Sequence, residues 1–196
     1  MHGKQVRWTV LRVIAYRSFI NEGSERSARL TAMKIETERL LLESITPELA
    51  RRIVSGRRAL SDRWHAEYPF EDELGPLRSL AAGPAPDPFF TMYLIRRKSD
   101  ELAVGGFGFR GRPDTTGRVE FGYGLIPAAR GVGLATEAVR AALEVAITHG
   151  ARMAAADTEL GNGASRRVLE KAGLIETHRQ KGFVFFSRPL FDEGKP

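Results

Sequence analysis

The sequence predicts a single mixed α+β domain in which strands outnumber helices. Three observations carry that expectation. Short apolar runs in the middle of the chain are separated by hairpin-length turns. One of those runs passes through a glycine-bearing turn into a long amphipathic helix. There is no internal repeat and no regular β-α-β alternation, which excludes a doubly wound parallel sheet. With 196 residues, 42% of them hydrophobic and 28% charged, the chain can bury a sizeable core as one globular domain.

The regular pattern begins at Met33. Residues 35–43 end in Leu40-Leu41-Leu42 and read as a first strand. Thr46 can cap a helix whose first position, Pro47, needs no N–H; Leu49, Ile53 and Val54 form its stripe towards Arg58. Residues 61–88 read as irregular and close on the loop Gly83-Pro84-Ala85-Pro86-Asp87-Pro88. Strands follow at 89–97, 102–109 and 118–126, the last stopped by Pro127. A helix is expected over 136–149, with Val139, Ala142, Leu143, Ala146 and Ile147 on one face and Gly150 just past its end. Residues 151–158 read as a strand and 165–171 as a short helix ended near Gly173. Residues 174–178 and 183–190 read as a closing hairpin around Lys181-Gly182.

Composition narrows the chemistry. Cysteine is absent, so disulfides, thiolate metal sites and a cysteine nucleophile are excluded. His2, His65, His149 and His178 form no close pair, and no metal is expected. Most of the formal charge of +6 sits in residues 1–32, where Lys4, Arg7, Arg12, Arg17, Arg26 and Arg29 face only Glu22 and Glu25. A basic leader on a nearly neutral body is not a basic binding face, so no nucleic-acid partner is expected. The leader's apolar run, 10–16, is broken by Arg12 and closed by Arg17. It is too short to span a bilayer and too charged for a signal-peptide core. A transit peptide is one reading of such a leader. The preferred one takes 1–32 as an N-terminal extension upstream of a natural start at Met33, with the domain over 33–196. A cytoplasmic protein with no membrane partner is the resulting expectation.

The most informative segment runs from Val119 to Ala138. A strand stops at Pro127, and the turn Arg130-Gly131-Val132-Gly133 leads into Leu134-Ala135-Thr136 at the start of a helix. Small residues let main chain approach a ligand, and the first helical N–H groups lack intrahelical partners at the positive end of the dipole. That combination suits a pyrophosphate, with Arg130 adding charge or fixing the turn. A P-loop would need Lys then Ser or Thr where Leu134 and Ala135 stand. The dinucleotide fingerprint lacks its last glycine at Thr136. A tight strand-to-helix connection with no ligand is the plain structural alternative.

Arg130-Gly131-Val132-Gly133-Leu134-Ala135 resembles the R/Q-x-x-G-x-G/A signature of the GNAT superfamily of N-acetyltransferases. A second landmark follows in order. The segment from Asn162-Gly163-Ala164-Ser165 to Glu170-Lys171-Ala172-Gly173-Leu174 is similar to the family's N-x-x-S-x-x-v-l-e-K-x-G-F pattern, with Leu174 in place of Phe. Thr37-Glu38-Arg39-Leu40-Leu41-Leu42 and Gly105-Gly106-Phe107-Gly108 resemble strands of the subgroup containing ribosomal-protein N-terminal acetyltransferases. The resemblance covers roughly residues 35–190. It implies a GNAT-like acyl-CoA N-acyltransferase fold: a mixed, mostly antiparallel central sheet flanked by helices.

The resemblance also implies an acetyl-CoA-dependent N-acetyltransferase acting on a primary amine, either a protein N-terminus or a small molecule such as a polyamine or an amine-bearing antibiotic. Main chain near Leu125 and Ile126 would pair with the pantetheine arm, and the amides from Arg130 through Gly131, Val132, Gly133, Leu134, Ala135 and Thr136 would hold the pyrophosphate. Asn162 would bond the arm or cap a helix. Glu120 is the first candidate for general base, with Asp157 and Glu159 behind it. Leu169 stands where many relatives carry a tyrosine that reprotonates the thiolate, so Ser165 is the candidate at the sulfur, or a helix cap. Tyr123 is a core aromatic or a further site residue. Trp64, His65, Glu67 and Tyr68 are the candidate acceptor-binding residues. A homodimer is a family-level expectation. The competing function is an acetyl-CoA-binding sensor without turnover.

Overall fold

In chain order the strands are β1 (Arg12–Ile14), β2 (Lys34–Glu36), β3 (Leu40–Ser44), β4 (Met92–Arg97), β5 (Ala103–Phe109), β6 (Arg118–Leu125), β7 (Met153–Glu159), β8 (Ile175–Gln180) and β9 (Phe183–Pro189). The helices are α1 (Pro47–Val54), α2 (Glu71–Ala82), α3 (Leu134–Thr148) and α4 (Gly163–Lys171). This is a computed structural model and describes residues 12–14, 32–84 and 86–190. The strands join in the order β1-β2-β3-β4-β5-β6-β7-β9-β8. Every neighbouring pair is antiparallel except β6 and β7, which α3 connects as a crossover. The mixed, mostly antiparallel sheet with flanking helices is the architecture that the family resemblance implies. Of the leader, β1 pairs with β2, and the rest of the expected extension lies outside the described residues.

Side chains alternate along β6, so its two faces meet different layers. Phe121 and Tyr123 point to one face, where Phe121 stacks on Phe107 of β5 and Tyr123 reaches α4. On that face α3 lies beside α4, with Arg140 donating to the Lys171 carbonyl. Gly122 and Gly124 turn to the opposite face, where a Cβ on Gly124 would meet the Phe70 ring at the start of α2. Tyr93, Phe107 and Phe121 are fully buried and form the aromatic centre of the core. Each contributes roughly 1.5–3 kcal/mol relative to exposure.

Two elements depart from the sequence expectation. The strand expected over 35–43 is a hairpin, β2 and β3, broken at Thr37–Arg39. The break is fixed by a distant partner: the Glu137 carboxylate on α3 accepts from the Thr37 hydroxyl at 2.6 Å and the Arg39 amide at 2.8 Å. The irregular stretch expected over 61–88 contains α2. Its first turn, Glu71-Asp72-Glu73, complements the positive end of the dipole, and Gly75 and Pro76 fall on its exposed side. Pro76 removes one helical hydrogen bond on that exposed side, while Leu77 is buried. The cap at α1 is as expected: Thr46 accepts from the Leu49 amide, with Pro47 at the first position.

Candidate active site

The sheet splits between β6 and β7. The two strands pair only over Arg118–Glu120 and Met153–Ala155, after which β7 continues with β9 alone. On its other edge β6 stays paired with β5 to Leu125. The Arg110 amide bonds the Glu120 carbonyl at 2.8 Å, and the Ile126 amide bonds the Val104 carbonyl at 2.9 Å. The period of two then turns the main-chain groups of Phe121, Tyr123 and Leu125 towards the split. The Leu125 carbonyl takes a 2.7 Å bond from Arg130 Nε, which leaves its amide facing the opening. Ile126 is different: its amide is spent on Val104 and its carbonyl accepts from the Ala129 amide. The edge available to an extended ligand arm is therefore Tyr123 and Leu125, not Ile126.

The split runs into the start of α3. Gly133 is the N-cap residue at φ 87°, Gly131 has φ 82°, and no side chain caps the helix among the described residues. The first intrahelical bond is Glu137 to Gly133, so the amides of Leu134, Ala135 and Thr136 have no helical partner. A Cβ on Gly131 would meet nothing, and one on Gly133 would meet only Arg39 Nη2. Arg39 donates to the Val132 carbonyl at 2.8 Å and to Glu137 at 2.7 Å, pinning the turn from outside. Bare donors, small side chains and the dipole's positive end together fit a diphosphate.

Across the opening, Tyr123 Oη lies 2.8 Å from Ser165 Oγ and 3.1 Å from the Ser165 carbonyl. Burial pushes the Tyr123 phenol up to about 12, so it remains a donor at neutral pH. Asn162 caps α4 by accepting from the Ser165 amide at 3.0 Å. Its carboxamide nitrogen is still free to donate, because only the oxygen is used in the cap.

Glu120 stands at the apex of the split and is ion-paired with Arg118 at 3.0 Å and Arg110 at 3.6 Å. Arg110 also pairs with Asp157 at 3.2 Å. A different carboxylate lies over the glycine surface. Glu73 of α2 reaches Gly106 and Gly124, which pair across β5 and β6, and a Cβ on Gly106 would sit 2.2 Å from Glu73 Oε1. Glu73 Oε2 is buried without a hydrogen-bond partner among the described residues. Desolvation raises its pKa to about 7; the Phe70 main chain opposes the shift, and the charge on Asp72 adds to it.

The expected acceptor residues divide. Trp64 and Tyr68 are core residues, 8% and 1% exposed, and Trp64 bridges to Ala103. That places them as wall, not as a ligand surface. Tyr68 packs edge-on to Phe70 at 6.4 Å and so stands behind the Glu73 carboxylate's neighbour. His65 and Glu67 pair with each other nearer the surface, at 3.7 Å.

Comparison with known proteins fits this geometry. The model of the acetyltransferase (GNAT) domain matches residues 39–175, most of the chain. The protein belongs to the GNAT acetyltransferase family. A curated relative, the uncharacterized N-acetyltransferase YjdG of Bacillus subtilis, is 32% identical over 91 residues, which is 46% of this chain. The match spans about half of that relative's length, 54%. The ribosomal-protein-S5-alanine acetyltransferase of Vibrio fischeri shares the GNAT fold at TM-score 0.59 and 16% identity, over 83% of this chain and 99% of that one. A probable GNAT acetyltransferase from Chromobacterium violaceum does so at TM-score 0.57 and 24% identity, over 91% and 96%.

Within this GNAT domain, sequence reasoning missed Glu73 and Arg39. Glu73 lies in the stretch read as irregular. Its only local mark was a third acidic residue ahead of Leu74, which a helix start would explain. Arg39 falls inside the strand expected over 35–43. Among the described residues no helix is long and apolar enough to cross a membrane, and no cluster of metal-ligating side chains occurs.

Proposed function

We propose that this GNAT protein transfers the acetyl group of acetyl-CoA to a primary amine, on a small molecule or a protein N-terminus, by direct attack. One observation carries the reading: the unpaired β6 edge at Tyr123 and Leu125 leads into the uncapped amides of Leu134, Ala135 and Thr136. Acetyl-CoA supplies an activated acetyl thioester when bound. The amides from Gly131 to Thr136 hold its diphosphate, and the Tyr123 and Leu125 main chain aligns its arm as an added strand. Asn162 donates its carboxamide to the same arm. Ser165, oriented by Tyr123, delivers a proton to the departing sulfur. Holding thioester and amine together on one strand edge supplies the proximity that the reaction needs.

The test is calorimetric titration with acetyl-CoA, followed by thiol release across an amine panel of spermidine, tobramycin and peptides with free Ser or Ala termini. Binding with turnover on at least one amine is expected. Absence of acetyl-CoA binding would sink the proposal. Binding with no turnover on any amine would favour the sensor.

A further inference from the structure

We propose that Glu73 is the catalytic base of this enzyme, taking a proton from the acceptor ammonium above Gly124. The inference rests on the acetyl-transfer reading and names a residue that the family signature does not. Its ground is position. The carboxylate lies over the paired glycines Gly106 and Gly124, on the face opposite Tyr123 and Ser165. Tyr123 and Leu125 flank Gly124, and their main-chain groups open into the split. Glu73 Oε1 would sit 2.2 Å from a Cβ on Gly106 of β5 and 4.0 Å from one on Gly124 of β6, so it lies one to two strand spacings, roughly 5–10 Å, from the edge where the thioester would lie. Glu120 is four residues farther along β6, roughly 13 Å away at strand rise, and is held by Arg110 and Arg118. A base must come within hydrogen-bond reach of its proton, directly or through one water. An amine held above Gly124 would stand within that reach, since Glu73 Oε1 is 4.0 Å from a Cβ placed there.

The surroundings suit the task. Glu73 covers Gly106 and the Phe70 ring borders Gly124, while Gly122, next along, is exposed with nothing over it among the described residues, so an amine can approach the main chain from that side. The Phe70 ring walls the inner end at 3.2 Å from a Cβ on Gly124. Among the described residues Glu73 Oε2 has no hydrogen-bond partner, so its lone pairs are unspent. Few charges face it. Asp72 is on its own helix, and Tyr68 precedes it, with Arg96 of β4 acting on that phenol. Strands β5 and β6 present glycines, and from α1 Arg51 bonds the Ala81 carbonyl at the far end of α2 and Glu48 of its own helix. With its pKa near 7, the carboxylate can accept and release a proton at neutral pH.

The step balances. Glu73 Oε2 receives one ammonium proton, and nitrogen keeps the electron pair. That pair forms the C–N bond, while the C–S pair leaves with sulfur. The second proton shed by nitrogen goes to sulfur through Ser165, and Glu73 returns its own to solvent.

The experiment combines Glu73→Gln, Glu73→Asp and Glu120→Gln with the wild-type chain. Using the best amine of the panel, Glu73→Gln should lower kcat/KM about hundredfold, within the range for a lost general base. It should also abolish an acid limb near pH 7. Glu73→Asp should retain the limb at a reduced rate, and Glu120→Gln should keep the limb. Acetyl-CoA affinity by calorimetry should change less than about threefold in Glu73→Gln, since ligand arm and diphosphate are held elsewhere. In the ligand-free protein, carbon-13 NMR of glutamate carboxyls should show one titration near 7 that Glu73→Gln removes. Full activity of Glu73→Gln, a persisting limb, or no carboxyl titrating near 7 would overturn the assignment. A wild-type chain that neither binds acetyl-CoA nor acetylates any amine removes the function itself, a result distinct from these.

Discussion

Tyr123 and Ser165 stand on opposite sides of the split, one on β6 and one on α4, with Oη and Oγ 2.8 Å apart. The phenol is held protonated by burial, and its proton can go to the Ser165 hydroxyl or to the Ser165 carbonyl; in the first arrangement the serine hydroxyl is free to donate onwards. If the two act as a unit, removing either breaks the same relay. Tyr123→Phe and Ser165→Ala should each lower kcat about tenfold, roughly 1.4 kcal/mol. The double variant should be no slower than the slower single one. Steady-state kinetics on all four proteins checks this, and multiplicative losses would show two independent roles.

Gly133 tests the diphosphate site. Its φ of 87° is left-handed, a region Asn and Asp tolerate better than other non-glycine residues. Gly133→Asn and Gly133→Asp therefore carry similar backbone strain and differ in charge. Gly133→Asn should weaken acetyl-CoA binding modestly. Gly133→Asp should weaken it a further tenfold or more, about 1.4 kcal/mol of repulsion at the helix start. Calorimetry at low and high salt reads the difference. Equal affinities for the two variants would place the diphosphate elsewhere.

Glu137 ties the β2–β3 turn to the start of α3. Burial pushes its carboxyl up, but the Thr37 hydroxyl, the Arg39 amide and the Arg39 guanidinium outweigh it, so its pKa falls below the ordinary value. A lowered folded-state pKa stabilises above the unfolded value and is lost as pH falls through the folded one. Glu137→Gln should cost about 2 kcal/mol at pH 7, the scale of bonds to a charged acceptor. The gap from wild type should close as pH drops below about 4. Urea melts across pH check it; a gap independent of pH would mean the charge is irrelevant.

Legibility in the sequence followed the range of the interactions. The Thr46 cap, the amphipathic stripe of α3 and the Lys181-Gly182 hairpin are local and could be read directly. So could the glycine turn before Leu134, whose chemistry is in the order of its residues. The break at Thr37–Arg39 could not, because its anchor, Glu137, is about a hundred residues away. Helix α2 was obscured by Gly75 and Pro76, which sit where solvent forgives them. The sequence marks Trp64 and Tyr68 as ligand-binding aromatics because burial, which makes them wall, is not a local property. Glu73 was invisible for a related reason. Its character comes from Gly106 and Gly124, strands that touch it only once the sheet is folded.

The same burial makes Glu73 a measurable liability. Desolvation raises its pKa from 4.5 to about 7, so between those values the folded chain keeps a proton that the unfolded chain has released. Stability must then fall as pH rises from about 4.5 through 7 and level off above it. A shift of that size corresponds to about 3 kcal/mol, an upper figure because the group is partly reached by water. Glu73→Gln carries no such titration. Its melting temperature should match wild type near pH 5 and exceed it by roughly 5–10 °C at pH 8, given the usual scaling for a chain this long. Scanning calorimetry of the ligand-free proteins at both pH values checks the sign. Parallel pH profiles for the two would mean that the carboxylate is solvated in the folded state, with an ordinary pKa.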